Sequence, residues 1–126
     1  MPNPVVLTAV QGSSGVKSFV SIYDNDELLP GGVIAGGNVV DTVGLYQDGV
    51  LIGSPGGYAG QIIYNGKLVI ATGSVQSTSG YTFYMQLRNG LDYKHGTILP
   101  NGDYDLVVVY KPNSKNYTVP IRVAVP

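Results

Sequence analysis

The stretch Leu99-Pro-Asn-Gly-Asp-Tyr-Asp-Leu-Val-Val-Val-Tyr110 constrains the fold of this chain more than any other. Its opening is turn chemistry: proline presets one backbone angle, and Asn-Gly accepts angles that other residues avoid. From Tyr104 to Tyr110 the extended chain is apolar on both faces apart from Asp105. A strand of that kind must be covered on both sides, so a central place in a β structure is expected.

Other segments speak in period two. Gly80 to Arg88 alternates, with Tyr81, Phe83, Met85 and Leu87 on one face and Thr82, Tyr84, Gln86 and Arg88 on the other. Tyr117 to Val125 repeats the pattern, and Pro120 inside it removes a ladder donor, which predicts an edge or a bulge. Asn65-Gly66 between Ala59–Tyr64 and Lys67–Thr72 predicts a two-residue hairpin, because both central residues of a type I′ turn need positive φ. Val5–Val10, Val16–Tyr23, Val39–Tyr46 and Val50–Ile52 read as further strands. No helix-length window carries an apolar stripe with caps.

About eight to ten short strands between turn signals predict an all-β fold, an antiparallel two-sheet sandwich over residues 1–126, with a jelly roll as the alternative. The expected core is Leu7, Val20, Ile22, Leu45, Ile52, Ile63, Leu68, Ile70, Phe83, Met85, Leu87, Leu106, Val108, Val119, Ile121 and Val123.

Two segments resemble immunoglobulin-like repeats of microbial surface and viral structural proteins. Val43-Gly-Leu-Tyr-Gln-Asp-Gly-Val-Leu-Ile-Gly53 looks like the strand, turn and strand midway through such a repeat. Leu99 to Tyr110, with Asn113-Ser-Lys-Asn-Tyr117, looks like its last hairpin. The resemblance implies an immunoglobulin-like sandwich with Tyr104 at a tyrosine corner. It also implies a spacer, adhesin, particle decoration or binding domain. The segment Leu28 to Asn38 and the Asn65-Gly66 hairpin depart from a compact seven-stranded repeat.

Charge narrows the partners. Only 12% of residues are charged, against about 25% in ordinary domains, and the net charge is -1. Such a surface repels copies of itself weakly. The seven Lys and Arg are scattered, so no stripe can neutralise a phosphate backbone and nucleic acid is not an expected partner. No apolar run is long enough to span a bilayer, and Met1-Pro-Asn-Pro lacks the basic and apolar regions of a signal peptide. Cysteine is absent, which removes disulfides and thiolate metal sites.

Candidate sites are few. His95 is the single histidine, in a loop-like Asp92-Tyr-Lys-His-Gly96, and no metal-binding spacing or nucleophile elbow accompanies it. Asp24, Asp26 and Glu27 could offer calcium hard oxygen ligands; the competing reading is a charged turn that ends a strand. Asp103 and Asp105 share a strand face but sit at a turn, a poor place for a glycosidase cleft. Gly31 to Gly37 lacks the Gly-Lys-Ser/Thr ending of a phosphate loop. Asn116-Tyr-Thr118 matches the N-glycosylation pattern.

Ten tyrosines against two phenylalanines and no tryptophan give the surface its character. Tyrosine is amphipathic and suits interfaces. The alternation places Tyr84 with Thr82, Gln86 and Arg88, a face that could pack on another subunit or stack on a sugar, or be an ordinary half-buried sheet face. No catalytic residue and no cofactor is expected. The reading is a non-enzymatic structural or assembly module, a virus or phage particle component or cell-surface piece, forming a homo-oligomer or meeting other structural proteins. The alternative is a module or adhesin domain that binds a carbohydrate or another surface polymer.

Overall fold

The computed structural model describes residues 4–9, 15–20, 22–25, 27–28, 40–56, 61–77, 80–88 and 99–126. Nine of its strands form one continuous sheet. They are β1 (Val5–Leu7), β2 (Ser18–Val20), β5 (Val40–Gln47), β6 (Val50–Pro55), β7 (Ile62–Tyr64), β8 (Lys67–Ser77), β9 (Gly80–Leu87), β10 (Gly102–Tyr110) and β11 (Lys115–Val123). Two more, β3 (Tyr23–Asp24) and β4 (Glu27–Leu28), pair as a small hairpin. The order around the large sheet is β1-β11-β10-β5-β6-β7-β8-β9-β2.

This sheet is a nearly closed barrel, and it overturns the expected immunoglobulin-like sandwich. Two features join what would have been separate layers. On one side β6 changes partners along its length: Val50 to Gly53 ladder onto β5, and Ser54 and Pro55 ladder onto β7. On the other side the terminal strands β1 and β2 meet. The Ser18 hydroxyl donates to the Val6 carbonyl at 2.6 Å, the Val16 amide donates to Thr8 at 3.1 Å, and Ala9 bridges Gly15. Twisted strands curl a long sheet toward such closure, and closure removes the exposed edges of a sandwich. The jelly-roll alternative is the nearer of the two expectations. The two segments that resemble immunoglobulin repeats exist as hairpins, β5–β6 and β10–β11, but their neighbours are those of the barrel.

The local reasons are those of turn and strand chemistry. Asn65 and Gly66 take φ of 50° and 75°, closing a turn between the paired Tyr64 and Lys67. Asp48 and Gly49 do the same at 52° and 78° between β5 and β6. Strand β10 is central, between β5 and β11. Pro120 is accommodated because β1 joins β11 only from Ile121 onward, which leaves the missing donor just outside that ladder.

The core fills the barrel. Leu7, Leu45, Ile62, Ile70, Met85, Leu87, Leu99 and Leu106 are fully buried, with Val20, Val108, Val119, Ile121 and Val123 beside them. Ile63 and Leu68, expected inside, are half-buried; Ile62 and Val69 take their places. A register shift between Ile62 and Ile63 is the cause, since one residue of slip exchanges the two faces of a strand. The side chain of Phe83 lies outside the described residues, as does the segment 29–39.

Tyr104 closes the barrel end. Its ring is buried, and its hydroxyl donates to the carbonyl of Pro100 four residues upstream. That bond ties the turn into the first residues of β10. Asn101 reinforces it by donating to the Val125 carbonyl at 3.0 Å and accepting from the Val125 amide at 2.9 Å.

Burial raises the Tyr104 phenol above its ordinary value of 10.0, the neighbouring Tyr64 adds to the rise, and a hydrogen bond with the Gln47 side chain offsets part of it. The folded state thus favours the neutral phenol. Its contribution is fully present below about pH 10 and is lost as pH climbs through the raised value. Denaturant titrations on both sides of that pH should show the wild type losing stability more steeply than Tyr104→Phe. At neutral pH the variant should be less stable by about 1 kcal/mol for the missing hydrogen bond. Equal alkaline slopes would remove Tyr104 as the group responsible.

Candidate functional site

The outer surface of the barrel carries one continuous band. Asp103, Arg122 and Val6 are successive cross-strand neighbours on β10, β11 and β1. All three are exposed, and the residues next to them along each strand, Tyr104, Ile121 and Leu7, are buried, so the three point outward. The band continues over the closing seam. Ser18 hydrogen-bonds Val6, and beside it Phe19 on β2 faces Tyr84 on β9. Phe19 is 56% exposed and Val6 49%.

At one end lies an open cavity of about 230 Å³, lined by Pro4, Asp48, Asp103, Asp105, Pro120 and Arg122. Asp103 and Asp105 lie on the same face of β10, and Asp48 comes from the turn between β5 and β6. Arg122 pairs with Asp103, Nε to Oδ1 at 2.8 Å. Both side chains are exposed, so the pair contributes little to stability. The hydrogen bond that Arg122 donates to Asp103, and then the Asp103 charge, hold the guanidinium even more firmly protonated than usual. The cavity thus offers carboxylate acceptors and one fixed donor fork.

At the other end is an aromatic pair. The rings of Phe19 and Tyr84 meet edge to face, 6.2 Å apart at 72°. The Lys17 ammonium sits 4.7 Å from the Tyr84 ring centre, a cation–π contact. Val16, next to Lys17 in the chain, is also exposed.

Of the face expected to make contacts, Tyr84 reaches this band. Gln86 is half-buried, and its Nε2 donates to the Gly15 carbonyl at 2.8 Å, which ties the closing seam to β9. Arg88 is half-buried; its amide donates to Val69, and its Nε has no hydrogen-bond partner. Thr82 pairs with Val75 through the backbone, and its side chain lies outside the described residues. Phe19, Lys17 and Val6 were missed. The signal for Phe19 was present: alternation places it opposite Val20 and Ile22, on the face away from the core. Val6 and Lys17 gain meaning only from strand order.

Two residues of the acidic turn fall in the small hairpin. Asp24 and Glu27 are cross-strand partners in the β3–β4 hairpin, with Asn25 at φ 49°. The Tyr117 hydroxyl donates to Asp24 Oδ2 at 3.2 Å, and Asn113 Nδ2 donates to that same hydroxyl at 2.8 Å. Tyr117 also meets Tyr110 edge to face at 6.3 Å. Asp24 is thereby tied to the β10–β11 hairpin. Asp26, His95 and the glycine-rich 31–37 segment lie outside the described residues. Among the described residues no three His, Cys, Asp or Glu side chains gather around a common point. No helix among them is long and apolar enough to cross a membrane.

No family model, curated protein or solved structure matches the chain.

Proposed function

We propose that this barrel is a non-enzymatic binding module that holds a polyhydroxylated polymer, a glycan, along its outer band. The observation that carries this reading is the continuity of polar cavity and aromatic pair across β10, β11, β1, β2 and β9. Carboxylates accept hydrogen bonds from hydroxyl groups, and a guanidinium donates to them. An exposed aromatic ring offers a flat apolar face to a sugar ring. Four strand spacings separate the two ends, roughly 20 Å, so a chain of several sugars could engage both.

A glycan array followed by titration of the best oligosaccharide, read through tyrosine fluorescence, tests the proposal. Phe19→Ala should weaken binding about tenfold, the value of a well-placed aromatic contact. Asp105→Asn should weaken it comparably, and neither should change the circular dichroism. Failure of every glycan to bind, or binding that ignores both variants, removes the reading.

A second reading, assembly, is favoured by a patch apart from the Tyr84 face. Val50 and Leu51 at the start of β6 are 61% and 51% exposed beside the Asp48-Gly49 turn. A concentration-dependent oligomer in light scattering that Val50→Ser abolishes would place protein contacts there.

A further inference from the structure

The Asn65-Gly66 turn has a chemical consequence independent of what the band binds. We propose that it is a site of spontaneous modification, where Asn65 converts to aspartate and isoaspartate while the protein is folded. The backbone nitrogen of Gly66 attacks the side-chain carbonyl carbon of Asn65. A carbon–nitrogen bond forms, ammonia leaves with the proton lost from the Gly66 amide, and a succinimide ring results. Water then opens the ring at either carbonyl. No oxidant or cofactor enters the balance.

Three observations place the reaction here. Asn65 and Gly66 are both exposed, so solvent reaches the nucleophile and the leaving group. A Cβ built on Gly66 would meet nothing within 4 Å, so no neighbour obstructs ring closure. Among the described residues no hydrogen bond holds the Asn65 carboxamide. The turn must relax from its positive φ values to react. It closes β7, a strand of three residues, and short hairpin ends open at low cost.

Asn101-Gly102 is the internal contrast. It has the same two residues, yet its carboxamide is held on both sides by the Val125 backbone, and Gly102 is paired with Val123 in the β10–β11 ladder. Reaction there requires both bonds to break first. At the usual strength of neutral hydrogen bonds this slows it by about thirtyfold.

The experiment is peptide mapping after incubation in mildly alkaline buffer, with folded and urea-unfolded protein side by side. Trypsin cuts after Lys67, Arg88, Lys94 and Lys115, so Asn65, Asn89 and Asn101 fall in separate peptides. Fragmentation assigns the mass gained when an amide becomes an acid. In folded protein Asn65 should convert about thirtyfold faster than Asn101, and urea should nearly erase the difference. Comparable rates at the two sites in folded protein would overturn the proposal. So would an Asn65 that reacts in urea and stays intact in the fold. Asn89 lies outside the described residues and is followed as a separate signal.

Discussion

Leu106→Ala should lower the free energy of unfolding by about 4 kcal/mol, the largest loss expected from any single truncation in this barrel. Leu106 is fully buried on the central strand β10, between Leu45 of β5 and Val119 of β11, both buried as well. Removing its branched end deletes buried methyl groups and leaves a void. Ladders on both sides of β10 resist collapse into it, so the cavity cost adds to the transfer cost. Typical domains are stable by only about 5–15 kcal/mol, so the variant would stand near the limit of folding. Urea titration with circular dichroism measures the loss. Val107→Ala, on the half-buried opposite face of the same strand, should cost under about 1 kcal/mol. Equal losses at the two positions would contradict the assignment of the inner face.

Gly15→Ala should cost about 3 kcal/mol and act on barrel closure. A Cβ at Gly15 would lie 2.7 Å from both the backbone nitrogen and the backbone oxygen of Leu87. Backbone atoms of an inner strand cannot step aside as a flexible side-chain end can. The backbone at Gly15 would therefore have to move off β9. That movement breaks the bond from Gln86 Nε2 to the Gly15 carbonyl and strains the Ala9–Gly15 bridge beside it. Hydrogen exchange should show faster opening in β1 and β2, while β10 keeps its protection. Wild-type protection in β1 and β2 would mean that the seam does not depend on this contact.

The candidate site was legible only in part, for reasons visible in single residues. Alternation placed Tyr84 outside and Met85 and Leu87 inside, because side-chain direction along a strand is a local property. The partners of Tyr84 are not local. Phe19 lies far away in the chain and reaches Tyr84 through the pairing of β2 with β9. Gln86 shared the face of Tyr84 by alternation, but its amide is committed to Gly15, which no spacing rule reveals. Asp103 and Asp105 were visible as a pair on one face. Arg122 joins them because Asp103 is its cross-strand neighbour on β11.

By itself the sequence determined the secondary structure, the hairpins and most of the core. Asn-Gly and Asp-Gly turns, period-two alternation and β-branched runs act within a few residues, and those preferences survive in any all-β packing. Scattered charge and absent cysteine were legible as well, because they are properties of composition. The tertiary structure decided the architecture. A sandwich and a barrel bury the same inner faces, and they differ in whether one strand serves two neighbours and whether the first two strands meet. Those choices rest on β6 dividing its ladder between β5 and β7, and on a few hydrogen bonds across the β1–β2 seam. Such contacts join residues distant in sequence, so only the assembled fold brings Asp103, Arg122, Val6, Phe19 and Tyr84 onto one surface.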